Sequence, residues 1–168
     1  MLEIAKTDSG AAELDLLPLD IREIIEEAAD LFGPVAEHRA IDIRLNKPSQ
    51  AVMVLGDRSR LQSVVANLLD NAIKYTSSGA TVTQWCDTDE AGVKVTIADT
   101  GVGIDQKDIP RVFERFYRGD KSRSTPGSGL GLSLALAIIR AHGGDITVKS
   151  TERGTAFSVI LPSQPPLR

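Results

Sequence analysis

One amphipathic helix, predicted over residues 58–74, constrains this chain more than any other segment, because two kinds of side chain lie on its adjoining faces. Apolar residues recur at the three- and four-residue spacing of a helix that packs on a core: Leu61, Val64, Val65, Leu68, Leu69 and Ala72. Asn67, Asn71 and Lys74 recur at i, i+4 and i+7, so they share a face that flanks this stripe. That place suits the rim of a cleft, although the pattern alone also fits a solvated helix edge.

Other strands and helices follow from the same periodicities. The sequence Asp20-Ile-Arg-Glu23 predicts a capping box at the start of a helix with apolar positions Ile21, Ile24, Ile25, Ala28, Ala29 and Phe32. We predict strands over 13–19, 41–45, 51–55, 80–86, 93–99, 145–150 and 155–161, helices over 109–116 and 130–141, and a helix end over 1–8. Short turns join the central and the final strand pairs. The pattern therefore predicts an α+β fold, a two-layer α/β sandwich with helices on one face of a mixed sheet.

Composition excludes several classes of function. The 168 residues carry a formal net charge of -4, which argues against a nucleic-acid partner because such proteins need a broad basic surface. One cysteine excludes an internal disulfide framework and a cysteine-based zinc site. No apolar run approaches the roughly 18 residues of a membrane span. We expect a cytoplasmic domain without direct membrane contact, with His38 on the surface and His142 at a helix C-terminus.

Asp99 ends a predicted strand and is followed by Gly101 and Gly103. A carboxylate accepts a hydrogen bond from the amino group of adenine, whereas guanine presents a carbonyl to the same place. Two facing acceptors cost about 1–3 kcal/mol, so this aspartate would favour ATP over GTP. The glycines let the backbone pass close under a flat base. An ordinary Asp-Gly loop is the simpler alternative for this motif taken singly.

Two further segments suit a phosphate chain. Asparagine oxygens are suitable ligands for Mg²⁺, and Lys74 adds a positive charge beside them. The loop Gly127-Ser-Gly129-Leu-Gly131-Leu132 runs into a helix, where free amides attract anions. It matches neither the Walker loop nor the dinucleotide fingerprint. Between these segments, the charged residues 105–123 fit a solvated surface, and Phe113, Phe116 and Tyr117 either pin that segment or anchor the core.

Taken together, these motifs resemble sensor histidine kinases. Asn67–Tyr75 resembles their N box, Asp99–Gly103 the first glycine box, Phe113–Phe116 the F box and Gly127–Leu132 the second glycine box. Glu152–Thr155 is similar to the closing Gly-Thr turn of that family. The resemblance implies the GHKL-type ATP-binding fold, in which a mixed five-stranded sheet packs on three helices.

The same resemblance implies a division of the chain and roles for its residues. Residues 1–10 would be a remnant of the dimerisation hairpin, 11–162 the ATP-binding domain with an ATP lid at about 105–128, and 163–168 a tail. Asn71 would bind Mg²⁺ with Asn67 beside it, Lys74 would face the phosphates, Tyr75 would line the base pocket, and Asp99, Gly101 and Gly103 would hold adenine. The residues implied to close over the phosphates are Gly127, Gly129, Leu130, Gly131 and Leu132, with Arg115 and Arg118 as lid candidates for the γ-phosphate.

The implied activity is transfer of the ATP γ-phosphate to a histidine on a dimerisation domain that this chain lacks. A response regulator would be an indirect partner, and the isolated domain would be a monomer, whether or not its parent is a membrane-bound receptor kinase. Asn67 stands where ATPases of this fold carry a glutamate, and an amide cannot take a proton from water, so transfer is favoured over hydrolysis. The alternative is a degenerate kinase that acts as a nucleotide-sensing or docking module.

Overall fold

A computed structural model of the chain describes residues 13–114 and 131–162. Its helices are α1 (Ile21–His38), α2 (Arg58–Lys74) and α3 (Gly131–Ala141), with a short 3-10 helix at Ile109–Arg111. Its strands are β1 (Leu17–Asp20), β2 (Asp42–Asn46), β3 (Met53–Gly56), β4 (Thr81–Asp89), β5 (Gly92–Asp99), β6 (Asp145–Thr151) and β7 (Gly154–Leu161). None of the helices in these two ranges combines the length and apolarity needed to cross a membrane.

The main sheet has five strands in the order β2-β4-β5-β7-β6. The β2–β4 pair is parallel and the other three pairs are antiparallel, so the sheet is mixed, as the sequence predicts. Strands β1 and β3 form a separate two-stranded antiparallel sheet. The predicted two-layer sandwich is confirmed, with the small sheet as an addition that periodicity alone does not separate from the large one.

The three helices form the second layer, and α2 is the central one. It contacts both α1 and α3, and it packs on β5, while α1 packs on β2 and β4 and α3 on β6 and β7. All six residues of its predicted apolar stripe are buried. Because this stripe fills the middle of the core, the side chains that flank it are held at fixed positions along the edge of the sheet.

The helix starts are explained by local capping. The Asp20 carboxylate accepts a hydrogen bond from the Arg22 amide (3.0 Å), and Asp57 accepts one from the Arg60 amide (3.2 Å). The other half of the predicted capping box differs from expectation, because the Glu23 carboxylate accepts from Arg58 of α2. Glu23 therefore ties the two helices together instead of closing its own helix start.

The structure also corrects the predicted helix over 109–116. Three residues form a 3-10 helix, and the hydrogen bonds run from residue i+3 to residue i, as from the Arg111 amide to the Asp108 carbonyl (2.9 Å). The described backbone leaves the helix after Arg111, and Phe113 packs on Phe157 of the sheet instead of continuing a helical stripe. The predictions for residues 1–12, 115–130 and 163–168 lie outside the described residues, among them Arg115, Arg118, Gly127, Gly129 and Leu130.

Candidate functional site

Three polar side chains form a row across one end of the main sheet. Asp99 of β5 pairs with Thr155 of β7, which pairs with Ser150 of β6. The next row on the same face is apolar and consists of Ile97, Phe157 and Val148. The polar row therefore stands at the edge of the core beneath the helices, where a ligand can reach hydrogen-bonding groups without crossing the packed interior.

Asp99 is the acidic member of this row. Its Oδ1 accepts from the Gly101 amide (2.9 Å), and the Thr155 amide also donates to its carboxyl group. Burial raises the pKa of Asp99 above its ordinary value, and the two amide hydrogen bonds oppose part of that rise. A half-buried carboxylate with spare lone pairs is suited to accept a hydrogen bond from a ligand amino group.

Thr76, just past the end of α2, closes over this carboxylate. A Cβ atom at Gly101 would lie 2.8 Å from Thr76 Oγ1 and 3.0 Å from Asp99 Oδ1, so only glycine leaves room between them. Thr76 is 4% exposed, and its Oγ1 has no hydrogen-bond partner among the described residues. An unpaired buried hydroxyl is unusual and costs about 1–3 kcal/mol, which marks this corner as polar and incompletely satisfied.

The loop after Asp99 is fastened to the β6–β7 hairpin. The Ile104 amide donates to Ser150 Oγ (2.6 Å), and Gln106 Nε2 donates to the Ser150 carbonyl (3.2 Å). Gly103 has a φ of 81°, and a Cβ there would lie 2.1 Å from the Thr151 carbonyl oxygen. The two glycines of this motif are thus required by close approach to Thr76 and Thr151 of the protein itself, and their place beneath a flat ligand stays a prediction.

The polar flank of α2 leads away from Asp99 toward α3. Asn67 and Asn71 are partly buried, whereas Lys74 and Tyr75 are exposed. A Cβ at Gly131, the first residue of α3, would lie 3.2 Å from Asn67 Oδ1. Lys74 Nζ pairs with Asp70 (3.2 Å), one turn earlier on the same helix. Asn67 to Tyr75 spans about 12 Å along the helix axis, which sets the scale of the separation between Asn67 and the end of α2 beside Asp99.

The far end of α2 is held by an arginine from the end of α1. The Arg39 guanidinium donates to the carbonyls of Ile73 and Thr76, the latter at 2.8 Å. The last carbonyls of a helix have no partner within it, so this side chain satisfies two acceptors that would otherwise stay unpaired. Arg39 consequently fixes the segment that carries Lys74, Tyr75 and Thr76.

Most of the predicted site residues that the structure describes meet along α2. Gly101 lies between Thr76 and Asp99 at one end, Gly131 lies close to the Asn67 side chain at the other, and Leu132 packs against the core. Phe113 packs edge-to-face on Phe157, with ring centroids 6.1 Å apart, so it is a core anchor directly below the polar row. Sequence reasoning missed Ser150, Thr76 and Arg39 as site residues, and it treated Thr155 only as part of a turn.

The donor set restricts which cation fits. The described ranges contain no group of three or more His, Cys, Asp or Glu side chains that could hold a metal ion. The neutral amide oxygens of Asn67 and Asn71 remain, and they suit a hard cation that keeps most of its waters and takes its other ligands from phosphate. The residues present therefore fit magnesium carried with a polyphosphate better than a resident transition metal.

Comparison with known proteins gives a consistent result. The profile of a family described as histidine kinase-, DNA gyrase B- and HSP90-like ATPases matches residues 56–165. Sensor histidine kinase CusS of Escherichia coli O6:H1 is 36% identical over 165 residues, which is 97% of this chain and 34% of CusS. The chain thus spans about a third of that relative.

Solved structures show the same likeness. The mycobacterial sensor histidine kinase MprB superposes with a TM-score of 0.78 at 33% identity, covering 89% of this chain and all of that chain. Full-length ShkA, solved in complex with AMPPNP, gives a TM-score of 0.83 at 30% identity, covering 99% of this chain and 36% of ShkA.

Proposed function

The chain belongs to the histidine kinase-, DNA gyrase B- and HSP90-like ATPase family, and on that premise we propose that it is the ATP-binding catalytic domain of a sensor histidine kinase. Its relatives that carry this domain are sensor kinases of two-component systems. The activity proposed for the parent protein is transfer of the ATP γ-phosphate to a histidine of a separate dimerisation domain.

The observation that carries this proposal is the corner formed by Asp99, Gly101 and Thr76. The Asp99 carboxylate accepts from the amino group of adenine, and Gly101 and Gly103 leave the space that the flat base needs. Thr155 stands beside Asp99 in the polar row and adds a hydroxyl at the same edge of the base. Tyr75, exposed at the end of α2, lines the mouth of this pocket.

The triphosphate would extend from this corner along the polar flank of α2. Asn71, with Asn67 beside it, would hold Mg²⁺ there through amide oxygens, and the ion would offset phosphate charge. Lys74 exchanges its ion pair with Asp70 for one with phosphate, at little cost because both side chains are partly exposed. The amides at the start of α3, with Gly131 and Leu132, face the same charge.

Phosphoryl transfer needs alignment and charge stabilisation more than proton chemistry. Asn67 cannot act as a general base, so a water molecule at the γ-phosphate is not activated. The nitrogen of an incoming imidazole forms the new bond to phosphorus while the bond to the ADP oxygen breaks. These features support a domain that donates phosphate to a partner domain and hydrolyses ATP only slowly in the absence of that partner.

The finer assignments are part of the same proposal. Residues 105–128 form the ATP lid, in which Arg115 and Arg118 reach the γ-phosphate and Gly127, Gly129 and Leu130 allow closure. Residues 1–10 correspond to a remnant of the dimerisation hairpin, and residues 163–168 to a tail. The domain acts as a monomer in the cytoplasm, with the dimerisation domain as its direct partner and a response regulator as its indirect one.

Calorimetric titration of the chain with ATP and GTP, each with and without Mg²⁺, tests this proposal. We expect Mg²⁺-dependent ATP binding and GTP binding that is weaker by at least about tenfold, since the Asp99 carboxylate would face the guanine carbonyl. Asn71→Ala should abolish the Mg²⁺-dependent part, while Asn46→Ala, on an exposed strand residue, is the matched control. Equal affinities for ATP and GTP would refute the assignment of the base pocket.

The docking-module alternative makes a different prediction for the same variant. Asn71→Ala would leave the binding of a dimerisation domain unchanged if docking were the whole function, and phosphate transfer to that domain would be absent in the wild type as well. Transfer by the wild-type chain that Asn71→Ala abolishes excludes the alternative.

A further inference from the structure

Ser150 occupies the end of the polar row farthest from the adenine contact, yet it is the most connected residue there. It is 8% exposed, and its Oγ accepts from the Ile104 amide (2.6 Å). The same oxygen lies 2.8 Å from Thr155 Oγ1 and 3.4 Å from the Gly154 carbonyl. A hydroxyl with this many neighbours must distribute a single hydrogen among them.

Counting hydrogens leaves two arrangements of the row. In the first, Ser150 donates to Thr155, and the Thr155 hydrogen is left to donate to a ligand. In the second, Thr155 donates to Ser150, Ser150 donates to the Gly154 carbonyl, and Thr155 offers the ligand only lone pairs. The first arrangement uses only the 2.8 Å contact between Ser150 Oγ and Thr155 Oγ1. The second also needs the 3.4 Å contact from Ser150 Oγ to the Gly154 carbonyl, which is long for a hydroxyl donor, so the first is favoured.

The two arrangements suit opposite purine edges. Adenine presents an amino donor at position 6 and an acceptor at N1, so it needs an acceptor beside a donor. Asp99 and a donating Thr155 supply this pair. Guanine and hypoxanthine present an acceptor at position 6 and a donor at N1, which is the reverse order. The direction of the Thr155 hydroxyl therefore contributes to base selection in addition to the carboxylate.

We infer that Ser150 is a positioning residue for base selection, which orients the Thr155 hydroxyl as a donor toward the purine ring and so favours adenine over 6-oxopurines. This inference rests on the proposed function, because it assumes that the base lies over the polar row. Ser150 need not contact the nucleotide. Its effect passes through Thr155, the next residue in the row, while its bond to the Ile104 amide keeps the neighbouring loop in register.

The test compares ATP with ITP, whose hypoxanthine base differs from adenine only at position 6 and N1. Dissociation constants for both are measured with wild type, Ser150→Ala and Ser158→Ala. Ser158 pairs with Thr96 in the same sheet (Oγ–Oγ1 3.3 Å), away from the polar row, so it controls for loss of a strand hydroxyl. We expect Ser150→Ala to lower the ITP-to-ATP ratio of dissociation constants by at least about threefold and Ser158→Ala to leave it unchanged.

A purely structural role gives a different outcome. If Ser150 only anchors the loop, Ser150→Ala weakens ATP and ITP by the same factor, and the unchanged ratio overturns the inference. Ser150→Thr keeps the hydroxyl and should retain the wild-type ratio. Ser150→Cys keeps the shape but replaces the hydroxyl by a weak donor, so it should lower the ratio and serves if Ser150→Ala does not fold. Absence of ATP binding by the wild type refutes the proposed function, whereas ATP binding with an unchanged ratio refutes only this inference.

Discussion

Asp99 shows how a single residue serves binding at a cost to stability. Burial raises the pKa of its carboxyl group, so the folded chain holds this proton more tightly than the unfolded chain does. The resulting penalty is absent at a pH below the unfolded pKa and complete above the raised folded pKa. Stability due to Asp99 therefore falls as the pH rises through this window.

The first prediction follows from that sign. Asp99→Asn should gain stability relative to the wild type as the pH rises through the raised pKa of Asp99, because it removes the buried charge. The same variant should bind ATP more weakly by about tenfold or more, since the amide is no longer a pure acceptor. Urea unfolding at several pH values, combined with ATP titration, measures both. If the difference in unfolding free energy between Asp99→Asn and the wild type did not change with pH, the buried charge of Asp99 would not explain it.

Gly101 gives the second prediction at this scale. In Gly101→Ala the new methyl group meets Thr76 Oγ1 at 2.8 Å, the Thr76 Cα at 3.2 Å and Asp99 Oδ1 at 3.0 Å. We expect a loss of about 1–3 kcal/mol in the free energy of unfolding, together with weaker ATP binding.

Gly33→Ala is the matched control, because a Cβ there meets nothing within 4 Å inside α1. Its unfolding free energy should differ from that of the wild type by less than about 1 kcal/mol, because the gain in helix propensity is opposed by the restriction that Pro34 places on the residue before it. If Gly101→Ala and Gly33→Ala had the same denaturant midpoint, the close packing at Gly101 would not be important for stability.

Residues with local chemical signatures were predictable from the sequence, and residues that depend on register were not. Asp99 and Gly101 stand out because a strand-end carboxylate is followed by two glycines, and the neighbouring motifs favour a ligand site over an ordinary Asp-Gly loop. Ser150 and Thr155 join the site only because β6, β7 and β5 pair in one register, which places them in one row. Thr76 gave no signal, since its burial follows from how α2 meets the loop after Asp99.

At the scale of elements, α2 illustrates what periodicity and capping determine together. Its predicted bounds, 58–74, agree with the structure because Asp57 caps its start and the apolar spacing persists to its last turn. The helix end is instead held by Arg39, 34 residues away from Ile73 in the chain. No local sequence pattern predicts this contact between Arg39 and the end of α2. The 3-10 segment at Ile109–Arg111 shows the opposite limit, where weak periodicity led to a helix prediction that was too long.

The third prediction concerns this arginine. Arg39→Ala leaves the carbonyls of Ile73 and Thr76 without their donor, so we expect a loss of about 1–3 kcal/mol in unfolding free energy. ATP binding should weaken as well, because the end of α2 carries Lys74, Tyr75 and Thr76. Arg44→Ala removes an exposed ion pair with Asp42 and should change stability by less than about 0.5 kcal/mol. Similar losses in the two variants would argue against a specific role for Arg39.

At the scale of the whole molecule, the two histidines lie at helix ends, and neither stands in a motif typical of a phosphate acceptor. His38 is exposed at the end of α1. His142 is buried, its Nδ1 donates to the Ile138 carbonyl (2.8 Å), and its Nε2 accepts from the Asp57 amide (3.0 Å). Both nitrogens of His142 are thus engaged in joining α3 to the start of α2, as a structural tie.

The fourth prediction is that the chain alone neither phosphorylates itself nor hydrolyses ATP quickly. Incubation with labelled ATP should leave no stable, acid-labile label on the protein. ATP turnover should stay far below the enzyme median of roughly 10 s⁻¹, because Asn67 cannot activate water. Asn71→Ala measures the background from contaminating ATPases. Label retained by the wild type and lost on acid treatment would reveal an acceptor that the fold does not indicate.

The polar row has a consequence for how this protein is assembled. Asp99 lies on β5, far along the chain from the β6–β7 hairpin that carries Ser150 and Thr155, and the Ser150–Ile104 bond joins residues 46 positions apart. A partly folded chain accordingly has no complete purine site, and nucleotide recognises only finished molecules. ATP at a hundred times its dissociation constant would then add about 2.7 kcal/mol to the native state. Cellular ATP would therefore stabilise only the fully folded protein, and this effect is measurable as a melting temperature that rises with ATP concentration.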